Sequence, residues 1–112
     1  MQSEEARSRI QAELSYARAA RQHGKEGRAR VCARRAAGWS VAAYRSAQGQ
    51  SSDEDAYTLL GWLEERGPEE LREPARRLRQ QVTEDHRLPH PEDPLKDAEL
   101  IVDGLLGQAS LT

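Results

Sequence analysis

The sequence predicts an all-α fold, an antiparallel helical bundle of four to five helices. Ala, Leu, Arg, Glu and Gln, which favour helices, dominate the 112 residues, whereas Val, Ile and Thr are sparse. No segment alternates apolar and polar residues with the period of two that a half-buried strand shows. Several segments instead repeat apolar residues at steps of three and four, which places those residues on one face of a helix.

A single domain is expected, because 112 residues is a usual length for one hydrophobic core. That core must be lean, since hydrophobic residues make up 37% of the chain, many of them are Ala, and Phe is absent. Helices that approach one another closely through Ala would suit this composition. We therefore predict one helical domain over residues 1–112, with a frayed tail at about 108–112.

The first two helices are predicted over about residues 4–22 and 28–46. Ser3 is the expected N-cap of the first helix, and the glycines of residues 23–27 separate the two. Small residues fill most apolar positions of the second helix, so we expect it to lie at the centre. Gly38 costs about 1 kcal/mol relative to Ala within a helix, which is more easily accepted where a partner packs tightly. The apolar stripes are Ala6, Ile10, Leu14 and Ala17 on the first helix, and Cys32, Ala36, Trp39 and Ala43, flanked by Ala33, Ala37 and Tyr44, on the second.

The third helix is predicted to begin at a capping-box-like pair and to end at Gly67-Pro68. The pair is either Ser51 with Glu54 or Ser52 with Asp55. Its apolar face consists of Ala56, Leu59, Leu60 and Leu63.

Pro74 interrupts the fourth helix, which leaves two interpretations. Either residues 69–73 form a separate short turn and Pro74 begins the main helix, or one helix kinks at Pro74; we favour the first, with the helix reaching about Asp85. Asp93-Pro94 is a good N-cap and first residue for the last helix, which extends to Gly107. The apolar faces are Leu71, Ala75, Leu78 and Val82 on the fourth helix, and Leu95, Ala98, Ile101, Val102 and Leu105 on the last.

The chain is expected to be cytoplasmic, with no membrane partner. Its first residues contain no apolar run, and no stretch approaches the ~18 apolar residues of a membrane helix. The single cysteine, Cys32, excludes an intramolecular disulfide, and its small apolar neighbours indicate a buried side chain rather than a reactive thiol.

Charge is balanced over the whole chain, at a net −2, but not locally. Residues 21–45 carry seven basic residues and one acidic residue, whereas residues 46–66 are net acidic. Arg30 and Arg34 lie one helical turn apart, and such a stripe can neutralise phosphates. Alternatively, the same arginines form a solvated face that pairs with the acidic helices around it or with a partner subunit.

Chemical motifs are scarce. The sequence has no P-loop, GxSxG, GxGxxG or HExxH motif. His86 and His90 lie near acidic residues, but in a Pro-rich segment without metal-ligand spacing, so we predict neither a metal nor another cofactor. Arg79 and His86 form the most interesting pair, because an Arg can position a phosphodiester while a His moves a proton at neutral pH. Solvated side chains are the alternative.

The order of the helices resembles the HEPN family (higher eukaryotes and prokaryotes nucleotide-binding domain) over nearly the whole chain. The resemblance lies in a long first helix, a Gly-containing turn, an Ala-rich second helix, a short third helix, a fourth helix that ends in a Pro-containing stretch, and a closing helix. In this chain those parts are IQAELSYARAARQ, HGKEG, RARVCARRAAGWSVAAYRS, DAYTLLGWLEE, LRQQVTEDHRLPHPEDP and LKDAELIVDGLL.

The resemblance implies one of two sites. Active members of the family cleave RNA between paired subunits, and they use an Arg followed at a short spacing by a His. Arg79 and His86 match that spacing. Gln80 is a departure, since it stands where the family usually has another polar residue directly after the Arg. A non-catalytic subgroup carries Arg-Tyr-Pro, which Arg87-Leu88-Pro89 resembles with Leu in place of Tyr. Such members are commonly dimers, nucleotide-binding modules or partners of a nucleotidyltransferase.

Three hypotheses follow from the sequence. The leading one is a non-catalytic HEPN-like module that binds nucleotide or RNA phosphates through Arg30, Arg34, Arg79 and Arg87, or that serves a nucleotidyltransferase as an accessory subunit or forms a homodimer. The second is a metal-independent ribonuclease of the toxin type with Arg79 and His86 as catalytic residues. The third is a structural interaction domain without a ligand.

Overall fold

The computed structural model describes residues 3–50, 54–81 and 90–107, and these residues form five α-helices and no strand. The predicted all-α class is therefore confirmed over the described part of the chain. The predicted tail at about 108–112 lies outside it. The helices are α1 (Ser3–Gln22), α2 (Glu26–Ala47), α3 (Ala56–Arg66), α4 (Glu69–Arg79) and α5 (Pro94–Leu106).

Two helices begin at an aspartate N-cap, which the sequence predicted for Asp93 but not for Asp55. The side chain of Asp55 accepts a hydrogen bond of 2.8 Å from the backbone N–H of Thr58, and this bond lowers the pKa of the Asp55 carboxyl. The side chain of Asp93 accepts from the backbone N–H of Leu95, with Pro94 as the first residue of α5. The predicted capping residues Ser51 and Ser52 lie outside the described residues, and the predicted start of the third helix is wrong, since α3 begins at Ala56 with Asp55 as its N-cap.

The structure corrects the fourth helix at two points. Residues 69–79 form one helix with Pro74 inside it, so the preferred separate turn is wrong. Pro74 leaves only the Glu70 carbonyl without its usual donor, and Glu70 is exposed to water. The helix also ends at Arg79 rather than near Asp85, since Gln80 is extended. The carbonyl of Leu78 instead accepts from Nε of Arg34 at 2.8 Å.

The helix directions are mixed rather than uniformly antiparallel. Arg21 bonds Asp93 and Arg18 bonds Glu99, so α1 runs antiparallel to α5. α1 and α2 form an antiparallel hairpin around Gly24, which has a φ of 74°. Consequently α2 and α5 run in the same general direction.

Contacts along α3 and α4 fix the remaining directions. Ala56 contacts Gly38, and Trp62 contacts Tyr44. Since both pairs advance in the same direction along the chain, α3 runs parallel to α2. Arg77 bonds Asp97 at one end of the α4–α5 contact. At the other end Leu71 packs on Gly104, which makes α4 and α5 antiparallel.

All five helices contribute to one hydrophobic cluster. Leu14, Leu78 and Ile101 are each less than 5% exposed, as predicted, whereas Trp39 is half-buried under the guanidinium of Arg9. Cys32 is buried as predicted, and burial raises the pKa of its thiol. Among the described helices, none combines the length and apolar composition needed to cross a membrane.

α2 occupies the centre and packs against α1, α3 and α5. Gly38 is a point of close approach between α2 and α3. A Cβ atom at this position would lie 2.7 Å from Cβ and 2.9 Å from Cα of Ala56. Because one of these atoms belongs to the backbone, α3 would have to shift to admit a methyl group.

We expect Gly38→Ala to lower the free energy of unfolding by about 1–2 kcal/mol, since overpacking outweighs the gain in helix propensity. Gly27→Ala is the matched control in the same helix, where an added Cβ meets nothing within 4 Å. Urea unfolding of both variants measures the difference. Equal stability of the two variants would show that α3 does not press on α2 at Gly38.

Candidate functional site

Five cations at the start of α2 have no carboxylate partner among the described residues. They are Lys25, Arg28, Arg30, Arg34 and Arg35, named here the unpaired basic segment. The two other cations of the basic stretch, at its ends, are paired: Arg21 with Glu26 and Asp93, and Arg45 with Glu54. The acidic helices therefore do not neutralise this segment within the described structure.

Arg21 engages the acidic residue that lies closest in sequence to Lys25 and Arg28. Its Nη1 and Nη2 donate to the two carboxylate oxygens of Asp93 at 2.9 and 2.7 Å, and its Nε donates to Glu26 at 2.9 Å. Glu26 is the one acidic residue of the stretch from 21 to 45. Since Arg21 engages that carboxylate, the neighbouring Lys25 and Arg28 are left without it.

An open cleft of about 330 Å³ lies between the end of α1 and the start of α2. Its lining residues are Tyr16, Ala19, Ala20, His23, Lys25 and Arg28. The ring of His23 is fixed, because Nδ1 lies 2.8 Å from the carbonyl oxygen of Ala19. A carbonyl can only accept, so Nδ1–H donates and Nε2 remains for a ligand.

Sequence reasoning missed this cleft, although a signal for it exists. Tyr16, Ala19 and Ala20 follow one another at steps of three and one, which places them on one side of α1, and His23 comes directly after the end of that helix. The adjacent apolar stripe of Ala6, Ile10, Leu14 and Ala17 drew attention instead.

The predicted phosphate ligands Arg30 and Arg34 lie together, but their roles differ. Nε of Arg34 holds the Leu78 carbonyl at the end of α4, so this side chain also has a structural task. Burial, followed by the charge of Arg30, lowers the pKa of the Arg34 guanidinium. Arg30 is half-buried and makes no ion pair with a described residue.

Arg79 is held against α3. Its Nη1 donates to Glu64 at 3.0 Å, and its guanidinium carbon lies 4.3 Å from the ring centroid of Tyr57. The same group packs on Gly61, where a Cβ would lie 3.2 Å away. Its proposed companions His86 and Arg87 lie outside the described residues, so their roles stay predictions.

His90 forms no candidate metal centre with the described residues around it. Its side chain is 9% exposed, and Nδ1 lies 3.6 Å from a carboxylate oxygen of Glu92, too far for a hydrogen bond. Over residues 3–50, 54–81 and 90–107, no three His, Cys, Asp or Glu side chains are grouped to hold a metal ion.

Comparison with protein-family models, with curated proteins and with solved structures finds no match to this chain. What the chain does must therefore be inferred from its own residues.

Replacing Arg34 should loosen the end of α4. We expect Arg34→Gln to lower the free energy of unfolding by about 1–2 kcal/mol, because a charged donor to a half-buried carbonyl is lost. The neighbouring, exposed Arg35→Gln loses the same charge and should stay within about 0.5 kcal/mol of the parent. Chemical denaturation compares them; identical midpoints would contradict a structural role for Arg34.

The Arg21 pairs should give a pH-dependent contribution to stability. Hydrogen bonds from Arg21 lower the pKa of Asp93. This contribution is present above the unfolded pKa of about 3.9 and is lost as the pH falls through the lower folded value. Because these side chains are about one-third exposed, we expect Arg21→Gln to cost about 1 kcal/mol at pH 7.

The difference between parent and Arg21→Gln should shrink below about pH 4, as Asp93 becomes protonated. Urea unfolding from pH 7 to pH 2.5 measures it. Arg18→Gln, which removes a more exposed pair with Glu99, should show a smaller cost at pH 7. A cost of Arg21→Gln that stays constant over this range would rule out the Asp93 contribution.

Proposed function

We propose that this chain is a non-catalytic helical module that binds the phosphate groups of a nucleotide or RNA through the unpaired basic segment. The observation that carries the proposal is the absence of carboxylate partners for these five cations, within the described residues, on a chain whose net charge is −2. By contrast, Arg21, Arg77 and Arg79, which connect one helix to another, are each paired with a carboxylate.

The charge on the remainder of the chain directs an anionic ligand toward this surface. Outside the basic stretch acidic residues exceed basic ones, so a polyanion is attracted to the start of α2 and repelled elsewhere. Guanidinium groups are suited to this task because their planar donors match phosphate oxygens in pairs. Binding should release counterions and hence weaken steeply with salt.

The HEPN-like identity belongs to this proposal and rests on the resemblance in helix order. So does a partner, either a second copy of the chain or a nucleotidyltransferase that the module would assist. The length of the first two helices, the short α3 and the closing α5 agree with the pattern on which the resemblance was based.

Catalysis is left out of the proposal for a physical reason. The Arg79 guanidinium, which would have to hold a scissile phosphate, already engages Glu64 and the ring of Tyr57. A substrate would need to displace a carboxylate at 3.0 Å before it could bind there.

Neutralising the basic segment should reduce both RNA affinity and its salt dependence. We expect Arg30→Gln/Arg35→Gln to weaken binding of a short single-stranded RNA at low salt. The slope of log K against log salt should fall in magnitude by about 1.4, since each phosphate contact on a single strand contributes about 0.7. Fluorescence anisotropy between about 50 and 200 mM salt measures both quantities.

The matched control is Arg7→Gln/Arg66→Gln, which removes the same charge from two exposed arginines on α1 and α3. This control should bind nearly as the parent does. The proposal fails if the parent does not bind, if its binding is indifferent to salt, or if both double variants lose affinity equally.

A further inference from the structure

We propose that the cleft between α1 and the start of α2 holds one nucleoside phosphate unit, with the base against Tyr16 and the phosphate against Lys25 and Arg28. This inference rests on the proposed function and names the unit that the surface recognises. It concerns a different part of the surface from Arg30, Arg34 and Arg79.

Tyr16 supplies a face for a base. Its side chain is 62% exposed, the highest value among the large apolar side chains of the described residues. Tyr57, the other strongly exposed tyrosine, lies under the guanidinium of Arg79. Tyr16 has no ring or cation against it in the described part of the chain, so both the area and the π-face are available for stacking.

Lys25 and Arg28 supply the charge for a phosphate. Both side chains line the cleft, and the nearest acidic residue in sequence, Glu26, is engaged by Arg21. A phosphate placed between these two cations displaces no carboxylate from either. This distinguishes the cleft from the Arg79 region, where Glu64 already occupies the guanidinium.

His23, Ala19 and Ala20 line the part of the cleft between the positions proposed for the base and the phosphate. Ala19 and Ala20 make this part of the wall small and apolar, which suits a sugar ring. The bond from Nδ1–H of His23 to the Ala19 carbonyl leaves Nε2 available for a hydrogen bond with a sugar hydroxyl.

The size of the cleft limits its occupant to one such unit. Its volume of about 330 Å³ lies at the lower end of the range for small-ligand sites. Its open side lets a strand continue in either direction. A free mononucleotide and one nucleotide of a single strand share this chemistry, and the test must separate them.

The experiment titrates the full chain with adenosine 5′-monophosphate, ribose 5-phosphate and a short single-stranded oligoadenylate at low salt. We expect the amide resonances of Ala19, Ala20 and Gly24 to shift on binding. We expect Tyr16→Ala to weaken binding of the base-containing probes about tenfold, as loss of one stacking contact implies. Ribose 5-phosphate should bind weakly and equally to parent and variant, because it lacks a base.

Tyr57→Ala is the matched control, since it removes an exposed tyrosine that lies outside the cleft. Far-UV circular dichroism and thermal unfolding show whether each variant is folded. Tyr16-dependent binding of the mononucleotide would identify a free nucleotide as the ligand. Tyr16-dependent binding confined to the oligoadenylate would identify a strand.

The cleft inference is overturned if Tyr16→Ala binds both base-containing probes as the parent does, or if ribose 5-phosphate binds as tightly as the mononucleotide. If RNA binding nevertheless falls in Arg30→Gln/Arg35→Gln, the proposed function stands and the cleft assignment alone is lost. If neither Tyr16→Ala nor the double variant alters binding, both fail.

Discussion

The close packing of α2 against its neighbours is the constraint on which the fold depends. Ala33, Ala36 and Ala37 are fully buried, and Gly38 meets Ala56 at a distance that excludes a side chain. Alanine removes little apolar area from water, so these positions do not stabilise the fold through their own burial. Their contribution is to let α1, α3 and α5 approach α2 closely, so that the larger Leu and Ile side chains of these helices pack densely around it. A chain without Phe can build its core in this way.

Guanidinium groups fix how the helices meet at one end of the molecule. Arg77 donates to both carboxylate oxygens of Asp97 at 2.9 and 2.8 Å, and Asp97 is only 3% exposed. A buried pair of this kind gives little net stability, but it penalises arrangements that separate its members. Together with Arg21 and Asp93, the pair sets where α5 begins relative to α4 and α1. Among the described residues, arginines such as Arg21 and Arg77 therefore position helices, whereas Arg28, Arg30 and Arg35 make no ion pair of this kind.

Local periodicity was sufficient to predict helix faces and most helix ends. Steps of three and four along α1 and α5 identify side chains that prove to be buried, and Asp93-Pro94 identifies a helix start, because these features depend on neighbours in sequence. The end of α4 could not be read in this way. It depends on Arg34, which is 44 residues away from Leu78 in the chain. The contacts of Arg79 could not be predicted from local sequence either, because its partners Glu64 and Tyr57 lie on another helix. The parallel direction of α3 relative to α2 likewise depends on contacts between residues distant in sequence. Charge counting located the basic stretch but not the pairing of Arg21 and Arg45 at its ends.

The unequal lengths of the helices explain why one side of the first half of α2 remains accessible. At 1.5 Å per residue, α2 is about 33 Å long, whereas α3 and α4 are each about 16 Å long. α3 begins beside Gly38 and follows α2 toward its end, and the last turn of α4 reaches α2 at Arg34. Neither short helix can then cover the turns around Arg28, which lie about 9 Å before Arg34 along the axis. If this part of α2 were exposed only as a consequence of helix packing, polar residues of either charge would be suitable there. The residues found there instead concentrate one sign of charge, and their single acidic neighbour is engaged by Arg21. This combination favours a surface kept available for an anionic ligand over a merely solvated helix end.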